Sequence, residues 1–319
     1  LAQLLQSTNR LGEAEPLMRR ALSIAEASFG ADHPNVAVGL NNLAQLLQST
    51  NRLGEAEPLM RQALAIDDVS FGADHPTVAR DLNNLALFLQ ATNRLGEAEP
   101  LMRRTLSIYE ASFGADHPEV ARALNNLALL LKATKRLEEA EPLMRRALSI
   151  DKASFGADHP DVARDLNNLA GLLQATNRLG EAEPLMRRAL SIDEASFGAN
   201  HPEVAIRFNN LAQLLQSTNR LGEAEPLMRR ALSIAEASFG ADHPDVARAL
   251  NNLALLLQAT NRLGEAEPLM RRALAIALEF ERRTGFEHPH RQLFSANLRA
   301  LHGTLTWRFR RWWRALRGR

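Results

Sequence analysis

The chain has 319 residues, 45% hydrophobic and 24% charged, a balance that suits a packed, soluble protein. It contains no cysteine, which excludes disulfides, thiolate nucleophiles and Cys-ligated zinc. The formal charge of +1 conceals an asymmetry: residues 279–319 hold ten arginines against three glutamates, so a mildly acidic body runs into a basic segment. No apolar run approaches the roughly 18 residues of a membrane span. No signal peptide is visible, so a cytoplasmic location is expected. The chain opens on Leu1 in mid-pattern, which reads as a fragment whose start is missing.

From Leu1 the text repeats. Leu1, Leu43, Leu85, Leu127, Leu169, Leu211 and Leu253 open equivalent segments at a period of 42, and residues 1–34 are identical to 211–244. Such a period marks stacked supersecondary units. Each unit reads as two helices. The stretch from His117 to Thr134 begins with Asp116 or His117 as cap and Pro118 at the first helical position, where its missing N–H costs nothing. Leu124, Leu127, Ala128 and Leu131 follow on one face. A polar break such as Thr92-Asn93-Arg94 ends the first helix. The second carries Ala98, Leu101, Met102, Leu106 and Ile108, with Pro100 expected in its first turn and Gly114 in a left-handed position after its end. Glu99 and Arg103 are spaced for an i,i+4 ion pair. Two such helices bury their apolar faces only by stacking on neighbours.

The repeats are expected to fill residues 1–278, the first copy truncated. Residues 279–303 then read as a worn repeat, where Glu287-His288-Pro289 echoes the inter-repeat turn and Asn297-Leu298 echoes Asn-Asn-Leu. Residues 304–319 form a basic segment holding all three tryptophans.

Leu253, Ala254, Ala266, Met270 and Ala273 stand where the tetratricopeptide repeat has its seventh, eighth, twentieth, twenty-fourth and twenty-seventh positions. With strings such as EAEPLMRRAL and GADHPDVA, the chain resembles the 42-residue kinesin-light-chain type, common in multi-repeat bacterial proteins. The resemblance implies an all-α, right-handed superhelical solenoid of helix-turn-helix repeats, with the second, fifth, sixth, ninth and twelfth positions lining a concave groove. On that register the second position is Arg80, Arg122, Arg164 and Arg248. The fifth and sixth pair Asn83 with Asn84, Asn125 with Asn126, and Asn167 with Asn168; Asn209 with Asn210 and Asn251 with Asn252 follow. The twelfth is Gln174 and its equivalents, replaced once by Lys132.

Asparagine offers donor and acceptor together, so a ladder of them suits the backbone of an extended peptide. Arginine adds forked donors for carboxylates, which makes the expected ligand acidic. Asn costs about half a kcal/mol against Ala in a helix, so pairs of them are an odd way to stay soluble. Gly171 takes the ninth position, where other copies carry Gln or Leu, and with Lys132, Ile206, Arg207 and Phe208 it suggests a selective pocket between Arg122 and Gln216.

No catalytic set, cofactor site or small-molecule site emerges. His33, His75, His117, His159, His201 and His243 recur one per repeat, too far apart to share a metal, and read as caps. The expected function is therefore a non-catalytic scaffold for a protein or peptide ligand. The first alternative is a regulatory or sensor array of a larger signalling protein whose N-terminal effector domain is missing. A third reading is a membrane-surface adaptor, with Trp307, Arg308, Arg310, Arg311, Trp312, Trp313 and Arg314 on an amphipathic helix facing anionic lipid or an acidic partner. Nucleic acid is disfavoured, because one short basic cluster is a poor footprint for it.

Overall fold

The computed structural model of the chain describes residues 11–285 and 287–303, and all regular structure among them is helical. The chain divides into two compact units, residues 1–157 and 158–319. The first holds α1 (Leu11–Phe29), α2 (Pro34–Ser49), α3 (Leu53–Phe71), α4 (Pro76–Ala91), α5 (Leu95–Phe113), α6 (Pro118–Ala133) and α7 (Leu137–Phe155). The second holds α8 (Pro160–Ala175), α9 (Leu179–Phe197), α10 (Pro202–Ser217), α11 (Leu221–Phe239), α12 (Pro244–Ala259), α13 (Leu263–Thr284) and α14, residues 291–303. Even-numbered helices are first helices of a repeat, odd-numbered ones second helices.

Each first helix starts at a histidine. His117 has extended backbone (φ −82°, ψ 144°) and its Nδ1 accepts the Glu119 N–H at 3.2 Å. His33, His75, His159, His201 and His243 do the same, so the cap is the histidine and not the aspartate before it. The ring of His117 also stacks on Phe113 at 4.6 Å, locking the inter-repeat turn to the preceding helix. Among the described residues no three His, Asp or Glu side chains gather as a metal site would need.

First helices end in a Schellman turn. The Arg94 N–H reaches the Leu89 carbonyl at 2.8 Å and the Asn93 N–H reaches Gln90 at 3.0 Å, with Asn93 left-handed at φ 61°. That turn launches the second helix at once, at Leu95, so Pro100 is its sixth residue and lies one turn deeper than expected. There it forfeits an intrahelical hydrogen bond. Gly114 also departs from expectation: its φ of 87° with ψ of 160° is not left-handed helical but an extended mirror conformation that only glycine adopts. Gly285, at φ 75° and ψ 4°, is the left-handed cap after α13.

Apolar faces meet between these helices. In the first unit Val78 and Leu82 of α4, Ile108 and Tyr109 of α5, Val120, Ala121 and Leu124 of α6 and Ala147 and Ile150 of α7 form one buried cluster. Alanines allow the close crossings, and leucine, isoleucine and methionine fill the space around them. In the second unit Val246, Ala247 and Leu250 of α12 pack with Ala273, Ile276 and Ala277 of α13, and Phe294 of α14 closes the cluster.

Candidate functional site

The asparagines on the first helices are not a solvated face; they link repeats. In the first unit Asn126 Nδ2 donates to Asn83 Oδ1 at 2.8 Å, joining α6 to α4. In the second unit Asn210 donates to Asn167 at 2.9 Å, joining α10 to α8, and Asn297 donates to Asn251 at 2.9 Å, joining α14 to α12. The fifth-position residues Asn83, Asn125 and Asn251 are buried, while Asn84, Asn126, Asn168, Asn210 and Asn252 are half-buried. Asn167 and Asn209 are half-buried as well. Asn41 departs from the ladder and donates to Asp81 Oδ1 at 3.0 Å.

The arginines of this face are neutralised in place by acids of the same chain. Arg80 contacts Asp67 Oδ2 at 3.2 Å and Asp81 Oδ1 at 3.0 Å. Arg122 pairs with Glu119, Arg164 with Asp161 and Asp165, and Arg248 with Asp245 at 3.1 Å. Their partners differ in burial. Asp67 and Asp81 are fully buried, whereas Glu119 and Asp245 are 37% and 44% exposed at the side chain. Pairs as open as the last two contribute under ~1 kcal/mol, so Arg122 and Arg248 can exchange partners at small cost. Arg80 is held by the buried pair beneath it.

Asp67 and Asp81 lie together in the first unit, at 0% and 1% exposure. Asp67 Oδ1 and Asp81 Oδ2 have no hydrogen-bond donor among the described residues. Burial, a hydrogen bond with Asp81 and the charge of Asp81 push the Asp67 carboxyl up to about 7, against the weaker pull of Arg80. One proton shared by the two carboxyls satisfies both bare oxygens. In the second unit the equivalent positions hold Asp193 and Arg207, and here Arg207 Nε donates to Asp193 Oδ2 at 2.7 Å.

That pairing also corrects the pocket expected between Arg122 and Gln216. Arg207 is 7% exposed, and Phe208 packs with Val204, Ala205, Ala231 and Ile234 while the Arg230 guanidinium sits 4.7 Å over its ring. Neither faces a ligand. Gly171 and Gln174 are half-buried on α8, and Ile206 is 37% exposed where other copies have arginine. Lys132 is half-buried, and burial, with Lys135 nearby, lowers the pKa of its ammonium. Trp307, Arg308, Arg310, Arg311, Trp312, Trp313 and Arg314 lie outside the described residues. No described helix is long and apolar enough to cross a membrane.

Sequence reasoning missed an arginine lock between successive second helices. Arg136 grips Glu139 through two nitrogens, both at 2.6 Å, and reaches Glu99 on the preceding second helix at 2.7 Å. Arg52, Arg94, Arg220 and Arg262 repeat it. The expected Glu99–Arg103 pair is present at 2.8 Å, as a side arm of this ladder. Glu99 and Arg136 are 37 residues apart, so only the recurrence of Glu-x-Glu and Arg-Leu at the repeat period could have signalled the contact.

The tetratricopeptide repeat family matches residues 1–68, 55–111, 77–153, 119–195, 161–237 and 204–279. No curated protein matches the sequence. Among solved structures, the fold is similar to the nearly identical TPR-like repeats of a kinesin-light-chain-like protein of Podosopora anserina, at 24% identity over 66% of this chain and 100% of that one, TM-score 0.54. It is also similar to BtubC (BKLC) from P. vanneervenii, at 24% identity over 73% and 92%, TM-score 0.58. A tetratricopeptide repeat protein from Parabacteroides merdae ATCC 43184 aligns over 94% and 96% at 16% identity, TM-score 0.62. At such identities the likenesses bear on fold alone. With its matches running across residues 1–279, the chain belongs to the tetratricopeptide repeat family, whose members are generally protein–protein interaction scaffolds.

Proposed function

We propose that the chain is a non-catalytic scaffold that binds an extended, acidic peptide segment along the first-helix faces of its units. The observation that carries this reading is the division of labour on those faces. Asn126 and Asn210 each commit an amide N–H to the ladder while staying half-buried, which leaves a carbonyl oxygen for a peptide N–H. Beside them Arg122 and Arg248 hold only exposed acid partners, which a ligand carboxylate can replace. Arg80 stays with its buried carboxylates and belongs to the scaffold.

The test is a fluorescence-polarisation screen of acidic extended peptides against the full chain and the variant Arg122→Ala/Asn126→Ala. Loss of at least tenfold in affinity, about 1.4 kcal/mol, is expected for the peptides that the parent binds. Binding that survives the two changes, or peptides chosen without regard to charge, would sink the groove reading.

A further inference from the structure

α14 keeps the register of a first helix, offset by 45 residues from α12. His288 Nδ1 accepts the His290 N–H at 3.1 Å as His243 accepts that of Asp245, and Asn297 takes the ladder place of Asn252. One face of α14 follows the pattern: Phe294 and Leu301 are buried at 1% and 0%. The other face does not. Val246, Ala247, Leu250, Leu253, Ala254 and Leu257 of α12 are all buried, and the first three pack with α13. Their counterparts on α14 are Arg291, Gln292, Ser295, Leu298, Arg299 and His302. With Leu274 of α13 they line an open cleft of about 610 Å3. This cleft is the seat that α13 fills on α12, rewritten in polar residues.

Arg299 decides what can sit there. Its counterparts Ala44, Ala86, Ala128, Ala170, Ala212 and Ala254 are all 0% exposed. A guanidinium in the same place bars an alanine- and leucine-faced helix of the array's own type by bulk and by desolvation. It calls instead for a carboxylate opposite. Arg299 Nε donates only to the Ser295 carbonyl, at 3.3 Å, among the described contacts. The flanking charges are held more firmly: Arg291 lies 3.7 Å from Glu281 and 3.5 Å from Glu287, and His302 lies 2.9 Å from Glu267. Leu274 and Leu298 supply an apolar floor.

We propose that this cleft docks an acidic amphipathic helix of a partner protein, its apolar side on Leu274 and Leu298 and a carboxylate on Arg299. The chain's own residues 304–319 are the weaker occupant on charge, since they bring further arginines to a basic seat. The site is separate from the first-helix faces, and its test is separate too.

The probe is a synthetic helix of about 19 residues, the length of a second helix, whose contact face carries leucines to meet Leu274 and Leu298 and a glutamate between them to meet Arg299. It is titrated against the full chain, Arg299→Glu, Arg299→Gln and Arg122→Ala, with the melting curve of each variant recorded. A loss of at least tenfold in Arg299→Glu, a smaller loss in Arg299→Gln and none in Arg122→Ala is the expected result. Equal affinity for parent and Arg299→Glu, or no binding at all, overturns the proposal. Binding that is lost when residues 304–319 are removed also overturns it, by giving the acidic probe to the arginines of that segment instead of the cleft.

Discussion

Asp67 and Asp81 share a site out of water with one guanidinium, that of Arg80, over them. Two carboxylates and one arginine leave a negative charge that burial makes costly, and a bound proton removes it. Asp193 solves the same problem with Arg207 instead. The pH consequence follows from the direction of the shift. Asp67 titrates near 7 in the folded chain and near 3.8 when exposed, so the folded state binds the proton more tightly. Its stabilising share is therefore complete below about pH 3.8 and is lost as pH rises through 7. Asp67→Asn keeps a donor for Asp81 and removes the titration. In thermal melts followed by circular dichroism, the midpoint of the parent should fall as pH rises from about 5 to about 7 and then level off, while that of the variant should hold level over the same range. Parallel curves for the two proteins would show that the pair is not the titrating group.

At the scale of the helix, two facing positions are edited together while the surrounding text is copied. They lie on a second helix and on the first helix that follows it. The pairs read Ala25 with Gly39, Asp67 with Asp81, Tyr109 with Ala123, Asp193 with Arg207, Ala235 with Ala249 and Ala277 with Phe294. Acid meets acid at Asp67 and Asp81 and acid meets base at Asp193 and Arg207, while Tyr109 with Ala123 and Ala277 with Phe294 each share a buried cluster. Neighbours in contact should then be energetically coupled. Moving the Tyr109–Ala123 solution into the earlier junction, as Asp67→Tyr/Asp81→Ala, should give a double variant 1–3 kcal/mol more stable than the sum of its single variants, on the order of magnitude known for touching residues. Additive denaturation free energies would refute the compensation. Both helices of the repeat were legible beforehand because their signals are local: a cap and a proline at the start of the first helix, a polar break at its end, and an apolar face on each. The start of the second helix lies a turn earlier than the sequence pattern suggests, since the Schellman geometry at Asn93 that sets it depends on carbonyls three and five residues back. The polar positions of the first helices were legible, but the partners of their arginines were not. That Arg80, Arg122, Arg164 and Arg248 would each find an acid could be guessed only for neighbours three residues away, and Asp67 lies thirteen residues from Arg80.

Across each unit as a whole, two electrostatic systems oppose one another. On the outside, the arginine ladder ties successive second helices: Arg52, Arg94 and Arg136 in the first unit, Arg220 and Arg262 in the second. Hydrogen bonds from Arg136 and Arg103 outweigh burial and hold the Glu99 carboxyl below its ordinary pKa, and those from Arg229 and Arg262 do the same for Glu225. A lowered folded pKa means that this stabilisation is present above the unfolded value of about 4.5 and is lost as pH falls through the folded one. Inside, the Asp67 carboxyl loses its share on the alkaline side. The first unit should thus be most stable near pH 4.5 and lose stability as pH rises to about 7, with limbs of different origin. Salt separates them. The ladder faces water, where 1 M salt shortens the Debye length to about 3 Å, whereas Asp67 and Asp81 are shielded by the helices around them. In melts across pH 3 to 9, added salt should flatten the acid limb and spare the alkaline limb, and Asp67→Asn should do the reverse. If salt moves both limbs equally, then the buried pair is not insulated from solvent, and the proton assigned to it has no place in the energetics of this repeat.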